Sequence, residues 1–201
     1  GTYGSLALAA DGSWTYTRNS IDLNTITASV EDSFTYKVTD NAGNQSTAIL
    51  TVKLDPVNDA PTIQVISDFS YFYEDGGPVA AYKASSTSIA LADIDSDQLS
   101  GATVLVQDFS SSTFYQGDVL SFTTAPGSNI EGSYNTSTGL LTFTGLASKA
   151  EYQEVLNSVK YNNLRDDISG GSRRVIWTVT DEQGQSNVNP APYTVRTFIG
   201  V

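Results

Sequence analysis

The sequence predicts an all-β fold built as two tandem antiparallel β-sandwiches. Three observations support this: short segments that alternate apolar and polar residues and are rich in Thr, Val, Tyr and Ser, turn residues between these segments, and one segment that recurs. The chain has 201 residues, of which 39% are hydrophobic, and this length suffices for two modest domains. We expect a first domain at residues 1–57 and a larger second domain at residues 58–201.

The first domain is predicted to consist of strands joined by tight turns. Ala10-Asp11-Gly12 and Asp40-Asn41-Ala42-Gly43 are turn signals, and each separates two alternating segments. Strands are expected at 4–8, 13–17, 34–38 and 48–54. Four strands make a thin sandwich, and the sequence opens at Gly1 without methionine, so we expect the first strands of this domain to be missing.

The second domain is predicted to contain one helix among its strands. Ser148 and Glu151 have the spacing of a capping box, and apolar residues follow at helical spacing from Tyr152 to Val159. We therefore expect a helix over 148–159 that packs across an edge of the sandwich. The strands are expected at 62–66, 86–92, 102–108, 118–124, 139–144, 158–162, 173–179 and 193–199.

An internal repeat links the two domains. Val38-Thr39-Asp40 is followed by Gly43, and Val179-Thr180-Asp181 is followed by Gly184 at the same spacing. An aromatic residue lies two positions before the valine in both copies. Each copy is predicted to form a hairpin that closes its domain.

The composition restricts the kinds of partner. The net charge of −12 argues against nucleic acid and anionic membrane surfaces as partners and is compatible with divalent cations. No segment is long and apolar enough for a transmembrane helix, so direct membrane insertion is not expected. The chain has no histidine, the commonest general base, and no cysteine, so disulfides cannot stabilise an extracellular module and a metal ion is the usual substitute.

The segment from Leu54 to Pro61 is predicted to be a stiff connector. It contains two prolines, which lack a backbone donor and favour extended conformations before them. Three residues of this segment carry side-chain oxygens: Asp55 stands just before the first proline, and Asn58 and Asp59 stand between the two prolines. Such oxygens suit calcium, while the alternative for these residues alone is an ordinary solvated loop.

Acidic and amide side chains are expected to converge beside this connector. If the strands alternate in direction, the segment before the strand at 34–38, the segment after the strand at 86–92 and the end of the strand at 173–179 all lie at the connector. Like charges repel strongly at short range, so this convergence favours a bound cation. The converging residues are Glu31, Asp32, Asn58, Asp59, Asp93, Asp95 and Asp181.

The connector resembles the calcium-binding linker of cadherins, which has the pattern Asp-x-Asn-Asp-Asn-x-Pro. Asp55, Asn58, Asp59 and Pro61 carry the likeness, and alanine stands in place of the last asparagine, a position that supplies a backbone carbonyl in the family. The resemblance extends to other cadherin ligands. Asp93-Ile94-Asp95 matches the Asp-x-Asp pair, Asp181 the later single aspartate, and Glu31-Asp32 loosely the Asp-Arg-Glu motif.

The wider pattern is similar to bacterial cadherin-like and VCBS-type repeats of large secreted RTX adhesins. The segments 10–17 and 32–40 carry this likeness in the first domain, and 99–104, 117–122 and the helix carry it in the second. The resemblance implies cadherin-like or Ig-like sandwiches that act as calcium-stiffened spacers of a bacterial surface adhesin, extracellular and involved in cell adhesion or biofilm. Their partners would be neighbouring repeats. The implied ligands of Ca²⁺ are Glu31, Asp32, Asp55, Asn58, Asp59, Asp93, Asp95 and Asp181.

The sequence departs from this family at its start. The early glutamate and the first Asp-x-Asp strand of the family are absent from the first domain, so the resemblance does not extend to the outermost calcium site. In the second domain Glu74, Asp166 and Asp167 are candidates for the corresponding set of a further linker.

Other interpretations concern binding or catalysis. Tyr71, Phe72 and Tyr73, followed by Glu74, have the composition of an aromatic platform for carbohydrate, so a carbohydrate- or surface-binding module is the alternative function. Aromatic side chains on sheets are more often engaged in cross-strand packing, which is the simpler interpretation of these residues. Paired carboxylates also occur in glycoside hydrolases, but there they flank a cleft, and these residues lie in loops. The Asp55-Pro56 bond has the composition of a self-cleavage site, but a linker residue before proline explains it. We expect no enzymatic activity.

Overall fold

The computed structural model describes residues 1–20, 28–65, 69–82, 89–166, 171–188 and 191–198. The chain divides into an N-terminal unit, Gly1–Asn58, and a C-terminal unit, Asp59–Val201. Each unit is built mainly from β-strands. Positions 66, 86–88 and 199 of the predicted strands, and the candidate residue Asp167, lie outside the described residues.

The N-terminal unit contains two antiparallel hairpins. The first pairs β1 with β2, and the second pairs β3 with β4 over ten residues each. Gly12 and Gly43 have φ angles of 86° and 85° in the two turns, a conformation that glycine adopts without strain. These hairpins confirm the predicted turns. The strands are β1 (Gly4–Leu8), β2 (Trp14–Arg18), β3 (Val30–Thr39) and β4 (Gln45–Leu54).

The N-terminal unit buries few side chains. Among its described residues, only Gly4 and Asp32 are buried, whereas Trp14 is 52% exposed and Ile49 is 68% exposed. An open groove of about 910 Å³ lies between the hairpins and includes Leu8 and Trp14 in its lining. The expectation that the first domain lacks strands is compatible with this arrangement and stays a prediction.

The C-terminal unit is a layered β structure. Its largest sheet has six strands in the order β11-β12-β9-β14-β15-β6, and the smaller sheets have the orders β10-β13-β7 and β5-β8. The strands are β5 (Thr62–Gln64), β6 (Phe69–Tyr73), β7 (Val79–Ala80), β8 (Ala90–Ala92), β9 (Gln98–Asp108), β10 (Asp118–Ser121), β11 (Glu131–Asn135), β12 (Leu140–Ser148), β13 (Lys160–Asn163), β14 (Gly171–Asp181) and β15 (Ala191–Phe198).

The hydrophobic core of the described residues lies within the C-terminal unit. Residues of β9 and β14 alternate between the core and the opposite face, as expected for half-buried strands. Trp177, Tyr161 and Phe72 are among the largest fully buried side chains. The rings of Phe72 and Tyr161 pack edge to face with centroids 5.2 Å apart.

The single helix of the described residues, α1 (Lys149–Asn157), confirms the helix predicted over 148–159. Ser148 is its N-cap, and the Glu151 carboxylate accepts a hydrogen bond from the Ser148 backbone N–H at 2.9 Å, which completes the capping box. Tyr152, Val155 and Leu156 are buried, and the helix lies against β8, β9 and β12.

The sheets differ from the prediction in one pairing and in three strands. β15 pairs with β6 in parallel, whereas the sequence predicted antiparallel pairing throughout. β6, β7 and β11 were not expected. The sequence of β11 is Glu-Gly-Ser-Tyr-Asn, which lacks an apolar alternation because only Gly132 and Tyr134 face inward.

Candidate metal site

The pairing register gathers acidic residues at one end of the C-terminal unit. β5 begins three residues after Asp59 and pairs with β8 so that Thr62 lies opposite Ala92. The loop Asp93–Asp97 then connects β8 to β9, and the first residues of β9 pair with β14 at Asp181. Asp59, the loop and Asp181 therefore lie at the same end, as the strand directions predicted.

Hydrogen bonds connect Asp59 with the loop. The Asp59 backbone N–H donates to Oδ2 of Asp95 at 2.9 Å, and the Asp95 backbone N–H donates to Oδ1 of Asp93 at 3.4 Å. Three carboxylate oxygens of these residues, Asp59 Oδ2, Asp93 Oδ2 and Asp95 Oδ1, are shielded from solvent and accept no hydrogen bond. A buried oxygen without a donor is unfavourable, and a cation is one partner that satisfies several such oxygens at once.

The electrostatics of Asp93 and Asp95 also favour a bound cation. Burial, together with the adjacent Asp95 carboxyl, raises the pKa of Asp93 to about 6. The protonated form gains a hydrogen bond to Asp95, and the ionised form is repelled by it. Throughout the part of the chain that the structure describes, no group of three or more His, Cys, Asp or Glu side chains is close enough together to form a metal site. Asp59, Asp93 and Asp95 therefore do not form a preassembled cage of ligands, and the observation that favours a cation is that their shielded oxygens accept no hydrogen bond.

We expect Asp93 to make the calcium-free protein less stable as the pH rises. Its folded-state pKa of about 6 lies above the usual value near 3.8, so the folded state holds the proton more tightly. The free energy of unfolding therefore falls between pH 4 and pH 7, and Asp93→Asn removes this loss. At pH 7 we expect the variant to be more stable by about 1–2 kcal/mol, less than the full shift implies because the side chain is partly exposed.

Urea unfolding in chelator at pH 4, 5, 6 and 7 measures this difference, with Asp166→Asn as the control because Asp166 is an exposed aspartate of the same unit. A variant whose stability runs parallel to that of the wild type over this pH range contradicts the raised pKa.

Asp181 and its counterpart in the repeat close similar turns. The Asp181 carboxylate accepts a hydrogen bond from the Gln185 backbone N–H at 2.7 Å, and the Asp40 carboxylate accepts one from the Asn44 backbone N–H at 2.8 Å. Gly43 and Gly184 have φ angles of 85° and 89° in these turns. The repeat is thus a repeated turn, and one carboxylate oxygen of Asp181 belongs to it. Asp181 is fully buried, whereas Asp40 is exposed.

Asp32 is held by the N-terminal unit itself. Its carboxylate accepts hydrogen bonds from the Thr2 N–H at 2.6 Å, the Tyr3 N–H at 3.0 Å and the Tyr16 hydroxyl at 2.7 Å. Burial opposes ionisation, but these hydrogen bonds outweigh it and lower the pKa of Asp32. The carboxylate has a structural partner for both oxygens, and we leave it out of the ligand set proposed below.

The other predicted ligands of the N-terminal unit lie in different surroundings. The exposed Asp55 forms an ion pair with Lys53 at 2.6 Å and accepts a hydrogen bond from the Ser29 hydroxyl at 2.6 Å, and both contacts lower its pKa. Glu31 is exposed on β3, opposite Lys53. Asn58 is half-buried at the end of the unit. The structure thus brings Asp59, Asp93 and Asp95 together and engages Asp32 and Asp55 elsewhere.

Sequence reasoning missed Lys149 as a neighbour of the acidic loop. Its ammonium group contacts the loop through three oxygens, described below. The sequence carried one signal, because Lys149 is the first residue of the capped helix and therefore has a fixed position.

The aromatic platform is only partly supported. Phe72 is 1% exposed and packs in the core, so it cannot contact a carbohydrate. Tyr71 and Tyr73 are 49% and 55% exposed, because alternation along β6 turns them away from the core. Of the three aromatic residues of the platform, Tyr71 and Tyr73 are exposed enough to contact a carbohydrate.

Comparison with known proteins finds a family match for the N-terminal part of the chain. Residues 1–56 match the family model of the bacterial cadherin-like domain. Cadherin-like domains are extracellular repeats of the adhesion type, without enzymatic activity of their own. No curated protein matches the chain. In the described residues, no helix is long and apolar enough to cross a membrane.

Several solved cadherin structures are similar to the chain at low identity. Mouse clustered PcdhgC3 EC1-3 is 12% identical with a TM-score of 0.38, and the match covers 98% of this chain and 53% of that one. Human CDH23 EC21-23 is 14% identical with a TM-score of 0.37, covering 96% and 50%. Mouse Cadherin-23 EC22-24 is 11% identical with a TM-score of 0.36, covering 97% and 50%. The chain spans about half the length of these structures.

Proposed function

We propose that this chain is a calcium-stiffened spacer from the repeat region of a bacterial surface adhesin of the RTX type, involved in cell adhesion or biofilm. The observation that carries the proposal is the set of three shielded carboxylate oxygens on Asp59, Asp93 and Asp95. The match of residues 1–56 to the bacterial cadherin-like domain supports an extracellular repeat whose partners are neighbouring repeats.

The chemistry of these oxygens suits Ca²⁺. Calcium takes about six to eight oxygen ligands at about 2.3–2.6 Å in a flexible geometry, and carboxylates of Asp are among its commonest ligands. Magnesium demands a smaller and nearly ideal octahedron, which suits a crowded set of carboxylates poorly. Asp59, Asp93 and Asp95 are the proposed ligands, and Asn58 and Asp181 are further candidates from the sequence pattern.

Calcium in this position would limit bending of the linker. Asp59 belongs to the Pro-containing connector, whereas Asp93 and Asp95 belong to the loop between β8 and β9. A calcium ion bound by residues of both segments would fasten the connector to the sandwich that follows it. The sandwich keeps its own apolar core, so removal of calcium is expected to loosen the connector before it unfolds the domain.

Small-angle X-ray scattering tests this function. We expect the wild type in millimolar calcium to have a narrow distribution of radii of gyration, and chelator to broaden that distribution. Asp59→Ala is expected to imitate chelator even with calcium present. Asp11→Ala is the matched control, because Asp11 is exposed in the turn between β1 and β2 and bonds only to Ser13.

If the distribution of radii of gyration of the wild type is as narrow in chelator as in calcium, the prolines alone stiffen the connector and the calcium mechanism fails. The accessible pair Tyr71 and Tyr73 favours a second candidate, a carbohydrate-binding module. Binding to a glycan array without any effect of calcium on rigidity would support that candidate over the spacer.

A further inference from the structure

Lys149 joins the start of the helix to the acidic loop. Its ammonium group donates hydrogen bonds to the backbone carbonyl oxygens of Asp93 at 2.9 Å and Ser96 at 2.7 Å, and it lies 3.2 Å from Oδ1 of Asp97. Its backbone N–H also donates to the carbonyl oxygen of Asp97 at 3.0 Å. The side chain is 22% exposed, so little water competes for these contacts.

Two of the N–H donors of the ammonium group make hydrogen bonds to the loop, and the third contact is an ion pair with the exposed Asp97 carboxylate. A lysine has three N–H donors, and three oxygens of one five-residue loop surround Nζ. The position of the lysine is fixed in turn, because Ser148 caps the helix and pairs with Gln98 at the start of β9. The loop from Asp93 to Asp97 is therefore fastened to a rigid element at both of its ends.

We propose that Lys149 is a positioning residue for the calcium site, holding the loop so that Asp93 and Asp95 keep the orientation in which they meet Asp59. This inference rests on the proposed function. Lys149 contributes no calcium ligand, since an ammonium group cannot coordinate a cation, and it acts through the backbone of the loop.

The charge of Lys149 and its contacts with the loop predict opposite effects on calcium affinity when the residue is replaced. A positive charge beside the carboxylates repels calcium, so its removal should tighten calcium binding if electrostatics dominates. Loss of the three contacts should weaken binding if the orientation of the loop dominates. The direction of the change in affinity therefore separates the two roles of the residue.

The test compares calcium titration of the whole chain in the wild type, Lys149→Met and Lys160→Met. Lys160 is the matched control, because it is exposed on β13 and its loss changes the net charge by the same amount. We expect Lys149→Met to raise the calcium Kd by about 10- to 100-fold, as the loss of groups that orient metal ligands commonly does, and Lys160→Met to leave it within about twofold. Lys149→Arg, which keeps the charge and several donors, is expected to recover part of the affinity.

Amide hydrogen exchange in chelator supplies a readout that does not depend on calcium. We expect Lys149→Met to speed exchange at residues 95–97 while the amides of β9 and β14 stay protected, which also shows that the variant folds. A calcium Kd in Lys149→Met that equals or falls below that of the wild type overturns the inference alone. If the wild type binds no calcium, the proposed function fails and the inference fails with it.

Discussion

Replacing Asp118 with alanine is expected to lower the free energy of unfolding of the C-terminal unit by about 3–5 kcal/mol. Asp118 and Arg173 are 1% exposed, and their carboxylate and guanidinium groups meet at 2.7 Å. Tyr161 and Asn163 also donate to this carboxylate, at 2.6 and 2.7 Å. The variant leaves the buried guanidinium group of Arg173 without its closest carboxylate, and the remaining one, that of Asp108, lies 3.7 Å from Nη1.

The pair is costly to break without being a large net source of stability. Burial raises the pKa of Asp118 despite the hydrogen bonds of Tyr161 and the charge of Arg173, which shows that desolvation is the largest contribution. We therefore expect the double variant Asp118→Leu with Arg173→Met to recover most of the lost stability. Urea unfolding measures all variants, with the exposed Asp166→Ala as the control. A loss below about 1 kcal/mol in Asp118→Ala would show that the interior relaxes around the unpaired charge.

Calcium is expected to raise the free energy of unfolding of the C-terminal unit by about 1.4 kcal/mol for each ion held at tenfold above its Kd, and by about 3–4 kcal/mol for two or three ions. Asp95→Asn is expected to abolish most of this gain. The substitution keeps an oxygen that accepts the hydrogen bond from the Asp59 N–H, but it removes the charge of the proposed ligand. The loss therefore reports on the charge rather than on that hydrogen bond.

Tryptophan fluorescence makes this experiment specific to one unit. The chain has two tryptophans, and Trp177 is buried in the C-terminal unit whereas Trp14 lies in the N-terminal unit. In a Trp14→Phe background, urea unfolding with calcium or chelator follows Trp177 alone. Asp166→Asn is the control for loss of one charge. If calcium stabilises Asp95→Asn as much as the wild type, Asp95 is not a ligand.

Local patterns predicted the helix and most of the strands. The capping box of Ser148 and Glu151 identified the start of α1 because both partners lie within one turn of sequence. The parallel pairing of β15 with β6 was not predictable in the same way, because it joins segments about 125 residues apart and depends on which strand covers the sheet edge. For the aromatic residues of β6 the sequence left both cross-strand packing and a surface platform open, since it does not show which ring enters the core.

The sequence predicted which aspartates of the candidate site lie near one another, but it did not predict which other side chains contact the acidic residues. Strand directions placed Asp59, Asp93 and Asp95 together, because alternating strands return to the same end of a sheet. The sequence could not show that Asp32 is engaged by Tyr16, a contact between two hairpins. The buried Arg173 had one signal that was not used: it lies in phase with Val175 and Trp177, which face the core.

The parallel pairing of β6 with β15 affects how the C-terminal unit responds to tension. A force that pulls on the chain before β6 and after β15 draws the two strands in opposite directions along their own axes. The five register pairs from Phe69–Thr194 to Tyr73–Phe198 then carry the load together in shear, whereas a hairpin pulled from its two ends opens one hydrogen bond at a time. Resistance to such a force depends on the rate of unfolding rather than on equilibrium stability. In the proposed spacer, this pairing therefore gives the C-terminal unit a resistance to force that does not depend on its equilibrium stability.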